Sequence, residues 1–402
     1  MSQGVRRSGR SWSRLDGVDL LRGLAILFVL LNHVNMRLQI ARIPYTHGLP
    51  EQLVSSLAWN GQRGVQMFFA ISGFLITSTS IRRWGSLARV RARDFYLLRF
   101  ARIAPLFLSL LFLLSLLHVL HIPNFVVSSK TGGLGRALLA ALTFHVNVLE
   151  AHRGYLPGNW DILWSLSVEE MFYLFFPLVC IGLGRSKWFV PLLCIFVALG
   201  PFSRTIWSRG NEVWQEYSYL GAMDAIALGC LTALWASSVR FPRAALVWLF
   251  TCGAALLVMT LCFTNWVQAI GLRALGLDMS LLALGTSMLV AAFAQTSWRS
   301  WYFLEPIRLL GQRSYEVYLT HMFVVFAFFN VFLSTGRKLV FVPLLFIAVI
   351  CVSGVVGELV ARFYSEPMNR WLRERFGSDA KRLGSVIEHP EDRHSLDAVA
   401  PA

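Results

Sequence analysis

Apolar runs close to the roughly 20 residues needed to cross a hydrocarbon core recur ten times between residues 18 and 363. They constrain what the chain can become more than any other feature. The runs fall at about 18–38, 64–81, 103–121, 163–183, 188–207, 217–237, 244–263, 276–296, 311–333 and 339–363. No stretch between them is long enough to fold as a separate soluble domain. The chain therefore reads as an all-α polytopic integral membrane bundle of about ten transmembrane helices, and its first partner is the lipid bilayer. Composition agrees, since 56% of the 402 residues are hydrophobic and only 15% are charged.

The net charge of +15 would also suit a nucleic-acid binder. Here the surplus sits in short loops between runs: Arg6, Arg7, Arg10 and Arg14; Arg82 through Arg102; Arg185 and Lys187; Arg240 and Arg243; Arg299, Arg308 and Arg313. That is the positive-inside pattern of inserted proteins, so no nucleic acid is expected as a partner. The same rule decides the run at 134–150, which carries Arg136 and His145. If it crossed, GRSK at 184–187 and every later basic loop would fall on the wrong side. Ten crossings place both termini in the cytoplasm, with residues 39–63 and 122–162 outside. The basic N-terminus followed by a long apolar run reads as a retained first span, not a cleaved signal. Residues 1–15 then form a basic cytoplasmic N-terminus, 16–371 the membrane domain and 372–402 a polar cytoplasmic tail expected to be disordered. The six cysteines show no CxxC pair and no metal-type spacing; they read as buried packing residues, and no metal is expected.

Ionisable groups inside a span are costly and mark functional sites by default. In LRGLAILFVLLNH, Arg22 and His33 lie eleven residues apart, which is three helical turns plus about 20°, so both look along one stripe roughly 16 Å in length. Arg22 falls in the cytoplasmic half and His33 near the outer end. Each also has a plainer role, Arg22 snorkelling beside Asp19 and His33 bonding a neighbour at the interface, but their shared face favours function. In WSLSVEEMFYLFFP (164–177), Ser167 and Glu170 match a capping box and Leu166 with Met171 a hydrophobic staple. Glu169 has no such structural excuse. It points about 100° away, near the depth of His33, where a carboxylate could orient an imidazole. Glu169 is preferred over Glu170, with both kept.

Arg99 and Arg102 lie one turn apart in RVRARDFYLLRFARIAPLF (89–107), where paired guanidinium donors suit a ligand bearing several phosphates. GVQMFFAISGFLIT (64–77) places Gly64, Ser72 and Gly73 where helices approach closely, and packing is the expected role. SYEVYLTHMFVV (314–325) stacks Tyr315, Tyr318 and His321 on neighbouring turns, where Tyr318 and His321 can line a substrate cavity or form an interhelical hydrogen-bond cluster. Asp224 in GAMDAIALG is an intramembrane carboxylate that should face the bundle interior and is kept as a candidate for substrate binding.

Taken as an ordered set over roughly residues 14–371, these stretches, with YSEPMNRW at the close, resemble the membrane acyltransferase type 3 family. The resemblance implies a ten-span enzyme of the bacterial inner membrane. It would move an acyl group, acetyl above all, from cytoplasmic acyl-CoA to a hydroxyl of a cell-envelope glycan or of another exported or small-molecule acceptor. The family's arginine and histidine pair maps onto Arg22 and His33, and its arginine-rich entrance onto Arg99 and Arg102. Met171 stands where many relatives have Gln, and the extracytoplasmic esterase-like domain that some relatives append is not expected here.

The charge layout then yields a mechanism. Acyl-CoA docks with its phosphates near Arg99 and Arg102, and its pantetheine arm passes between spans. His33, oriented by Glu169 or Glu170, acts as general base on the acceptor hydroxyl or carries the acyl group itself. Arg22 binds ligand or stabilises the thioester oxyanion. The rival from another class is a transporter or flippase in which Arg22, His33, Glu169 and Asp224 line an ion or substrate path.

Overall fold

The computed structural model describes residues 15–296 and 298–376. Ten helices carry the apolar runs: α1 Asp16–Ile40, α2 Gly61–Trp84, α3 Ala92–Val119, α4 Leu163–Leu183, α5 Phe189–Arg204, α6 Tyr219–Ser238, α7 Arg243–Cys262, α8 Asp278–Gln295, α9 Ser314–Ser334 and α10 Val342–Val360. Among the described residues there is no strand, and nine helical segments are long and apolar enough to cross a bilayer. The tenth, α5, has only 16 residues. It stops short of the expected end at 207 because Arg204 turns inward, bonding the Gly276 carbonyl through Nε (3.0 Å) and Nη2 (2.8 Å).

The last helix overruns its expected end at 363. It passes through a π turn, Ala361–Ser365, into a further helix, Glu366–Phe376, so the start of the predicted tail, residues 372–376, is helical. The rest of that tail and nearly all of the basic N-terminus lie outside the described residues. The 134–150 run is broken at Phe144, which takes a positive φ of 56°. It forms two helices, Gly133–Leu142 and Val146–Arg153, each too short to span. Of the cysteines read as buried, Cys180 and Cys230 are, whereas Cys194 and Cys351 are exposed.

Lipid tails are as apolar as leucine, so membrane helices associate largely through close packing at small residues. Between α2 and α6 that contact is reciprocal. A Cβ on Gly73 would meet the Ile226 carbonyl oxygen at 2.1 Å, and one on Gly229 would meet that of Ala70 at 2.0 Å. Gly64 brings α2 equally close to α1, against the Ala25 carbonyl. Ser72, read with those glycines as a packing residue, instead bonds Glu169 across the bundle. On its other side α1 meets the helix Glu305–Gln312, where Gly23 abuts the Ile307 carbonyl and Gly311 that of Asp19.

Helices α1 and α9 run parallel: Arg22 meets Ser314 near both N-termini, and His33 meets His321 further along. The end of the bundle that holds these N-termini, the start of α3 and the arginine-rich residues 82–93 is called the basic end below.

Candidate functional site

A cavity of about 180 Å³ lies in the half of the bundle nearer the basic end, lined by α1, α2, α3, α4 and α9. Three guanidinium groups line it, those of Arg22, Arg99 and Arg102, together with Glu169, Ser72, Ser165, Ser314, Tyr173, Tyr315 and Tyr318. The arginines are held differently. Arg102 forks onto Glu316, with Nη1 donating to Oε1 at 2.6 Å and Nη2 to Oε2 at 3.2 Å, and it lies over the Tyr315 ring at 5.0 Å. Arg22 donates to Ser314 Oγ at 2.8 Å and sits 3.6 Å from Asp19 one turn earlier. Arg99 is half-buried over the rings of Tyr173 (5.3 Å) and Phe95 (5.9 Å) and makes no ion pair among the described residues. No hydrogen bond or ion pair among the described residues holds its donor fork.

Glu169 faces the cavity and accepts from Ser72 Oγ at 2.8 Å and from Tyr173 OH at 3.2 Å. These bonds take the place of the expected bond to an imidazole. The physical reason is where α4 begins. Ser167 lies within the helix, and its hydroxyl donates back to the Leu163 carbonyl at 3.0 Å instead of capping. Four residues of extra helix displace Glu169 by about 6 Å along the axis, away from the level of the histidines. Glu170 is correspondingly no helix-start residue. It does not line the cavity, and its buried Oε1 has no hydrogen-bond partner among the described residues.

His33 is not among the residues that line the cavity. It stands one layer beyond, at the end of a series of rings. Tyr318 is in the cavity wall, its hydroxyl bonded to Ser165 Oγ at 2.7 Å and to the Ile162 carbonyl at 3.0 Å. The Tyr318 and His321 rings are 5.6 Å apart, and those of His321 and His33 are 4.9 Å apart, edge to face. Each imidazole places Nδ1 at its own helix backbone, His33 at the Val29 carbonyl (2.8 Å) and His321 at that of Tyr318 (2.6 Å). Donation from Nδ1 leaves Nε2 as the basic nitrogen of each ring, and Nε2 of the fully buried His321 has no partner among the described residues.

Asp224 is drawn elsewhere. It is fully buried and accepts from Arg204 Nη2 (2.7 Å), Ser280 Oγ (2.5 Å) and Gln66 Nε2 (2.9 Å), which locks α2, α5, α6 and α8 together. Asp224 does not line the cavity. The partners that sequence reasoning missed, Ser72, Glu316 and Arg204, are all polar residues inside apolar runs. That default signal was present for each of them. No group of three or more His, Cys, Asp or Glu side chains among the described residues is placed to hold a metal ion.

A membrane-embedded helical bundle that gathers arginines and a carboxylate around one cavity, with imidazoles behind it, has the parts needed to move a charged or acyl group. The sequence comparison makes the class definite: the family described as an acyltransferase domain matches residues 15–358, and the chain belongs to it. Among curated proteins it is similar to O-acetyltransferase OatA of Staphylococcus aureus strain NCTC 8325, 24% identical in an alignment of 390 residues that covers 92% of this chain and 60% of that protein. A putative O-acetyltransferase of S. aureus strain COL is 23% identical over 89% of this chain and 57% of its own length. The chain thus spans about three fifths of the length of the curated relatives it matches. No solved structure matches it.

Proposed function

We propose that this chain is an O-acetyltransferase of the bacterial inner membrane, with both termini in the cytoplasm. It takes acetyl from cytoplasmic acetyl-CoA and delivers it to a hydroxyl of a cell-envelope glycan or of another exported or small-molecule acceptor. The observation that carries this reading is the meeting of Arg22, Arg99 and Arg102 with Glu169 around one cavity within a family of acyltransferases. At about 180 Å³ the cavity is smaller than the roughly 300–1,000 Å³ of pockets that enclose drug-sized ligands. It suits the thioester end of acetyl-CoA, with the nucleotide left at the basic end.

In this reading Arg99, with its donors uncommitted, takes a phosphate or the pantetheine amides, and Arg102 is a positioning residue held by Glu316. Arg22 faces the thioester and stabilises the oxyanion that forms when the carbonyl is attacked. The acceptor oxygen attacks the thioester carbonyl, the C–S bond breaks, and CoA leaves as thiolate. The acceptor proton passes to His33 Nε2, with His321 beside it, and from there to the thiolate. Attack by His33 itself, through an acetyl-imidazole, uses the same groups.

Purified protein in nanodiscs, supplied with labelled acetyl-CoA and an envelope fraction, should transfer label to hydroxyl groups. His33→Ala should lower transfer about 10²- to 10⁴-fold while leaving insertion intact. Near-normal transfer by His33→Ala would remove the assignment of His33, and substrate movement without acylation would remove the enzyme reading altogether.

A further inference from the structure

The end of the bundle opposite the arginines holds a second group of polar side chains to which nothing above gives a role. Residues Gly158–Asp161 form a single turn that packs against the histidine layer. A Cβ on Gly158 would meet Met322 Cε at 2.7 Å and Arg37 Nη2 at 2.9 Å. Met322 follows His321 in α9, and Arg37 lies one turn beyond His33 in α1. Asp161, at the end of that turn, accepts from Tyr217 OH at 3.3 Å, interacts electrostatically with Arg37, and pairs carboxyl to carboxyl with Glu150.

Glu150 has no exposed surface. One of its oxygens accepts from the Leu156 amide at 3.0 Å. Burial, and then the neighbouring Asp161, push its carboxyl well above the usual carboxylate range.

Buried polar atoms are almost always paired, and leaving one unpaired costs about 1–3 kcal/mol. Here the exceptions are concentrated. Asn159 is 1% exposed and has neither amide atom bonded; Arg37 Nε and His321 Nε2 are likewise buried without a partner among the described residues. Asn159, Arg37 and Asp161, with His321 behind them, together offer donors and acceptors of both kinds where the Gly158–Asp161 turn meets α1 and α9, the pattern that suits a ligand carrying several hydroxyls. Beside them Tyr155 is 55% exposed and stands edge-on to Tyr217, 6.0 Å between centroids, and Tyr217 stacks flat on Trp164 at 4.1 Å. An exposed aromatic ring backed by a rigid stack and set next to paired carboxyls is a surface on which the apolar face of a sugar ring can lie while its hydroxyls are bonded from the side.

We propose that Asp161, Asn159 and Arg37, with Glu150 behind Asp161 and Tyr155 at the rim, form the acceptor subsite, and that it takes a carbohydrate. This rests on the acetyl-transfer reading above. The acceptor hydroxyl reaches His33 and His321 from this end, and the thioester reaches them from the arginine cavity.

The test measures acetyl transfer from labelled acetyl-CoA by the full-length protein in nanodiscs, with chitotetraose and maltotetraose as carbohydrate probes and 1-octanol as a hydroxyl without a sugar. Wild type should acetylate at least one oligosaccharide. Asp161→Asn and Tyr155→Ala should each raise the half-saturating oligosaccharide concentration about tenfold and leave that for acetyl-CoA unchanged, which also shows the variants to be folded. Tyr155 lies at the surface and provides a substitution without a folding risk. Transfer with unchanged oligosaccharide dependence in both variants overturns the subsite. Acetylation of 1-octanol but of neither oligosaccharide overturns the carbohydrate class. Absence of transfer to any hydroxyl by wild type overturns the acetyl-transfer reading and the subsite with it.

Discussion

Replacing Arg102 and Arg99 one at a time separates an arginine that holds the protein from one that holds a ligand. Glu316 is fully buried, and Arg102 retains 30% of its side-chain exposure. Between them run two charge-assisted bonds, of 2.6 and 3.2 Å. Removing one partner of a buried pair strands the other charge and costs about 3–5 kcal/mol. Water reaches the Arg102 side, so Arg102→Met should fall at the low end, about 3 kcal/mol, and should lower the apparent melting temperature in detergent. Pairing it with Glu316→Met removes both charges and should restore most of that loss.

Arg99→Met strands no carboxylate and forfeits a cation–π contact worth about 0.5–1 kcal/mol, so stability should barely change. A hydrogen bond to a charged group contributes about 1.5–3 kcal/mol, so losing one to acetyl-CoA should raise its half-saturating concentration about 10- to 100-fold. If Arg102→Met melts like wild type, or if Arg99→Met binds acetyl-CoA as tightly as wild type, the division of roles drawn from the geometry is refuted.

Packing and charge at other places lead to two more expectations. Gly73→Val should separate α2 from α6, because a Cβ there meets the Ile226 carbonyl at 2.1 Å; detergent-solubilised yield and melting temperature should both fall, whereas Gly135→Val, in open space, should be far milder. The Glu150 carboxyl, raised by burial and then by Asp161, binds its proton more tightly folded than unfolded, where the value is about 4.3. Its stabilisation is complete below that pH and is lost as pH climbs through the raised folded value. Melting temperature followed from about pH 4 to 9 should therefore decline on the alkaline side, and Glu150→Gln should flatten the decline; an identical slope in the variant would remove Glu150 as its source.

Much of the architecture was legible because the constraint behind it is coarse. A crossing needs about 20 apolar residues whatever their order; the runs from Asp16 to Val360 needed no more than that. Register was harder. The capping-box pattern at Ser167 and Glu170 was a chance match inside a helix that had already begun at Leu163; read as a helix start it set Glu169 level with His33, whereas the four residues of helix before it carry Glu169 away from the histidines and against Ser72. Partner choice was harder still. Asp224 and Arg204 are twenty residues apart on different helices, and Arg102 and Glu316 are separated by 214 residues, so no local spacing could announce either pair. The facing of Arg22 and His33 toward one neighbour, α9, did follow from helical period alone, because both residues lie on a single regular helix.

The contact between α1 and the helix Glu305–Gln312 sets a mechanical tolerance on the site. With Gly23 pressed on the Ile307 carbonyl and Gly311 on that of Asp19, main chain rests on main chain at both seats, and neither helix has slack to slide or roll. The guanidinium of Arg22, one residue from the first seat, is therefore aimed by two hydrogen atoms standing where any other residue would carry a carbon. A methyl group added at Gly311 touches nothing in the cavity, yet it would lever the first helix outward and spoil that aim.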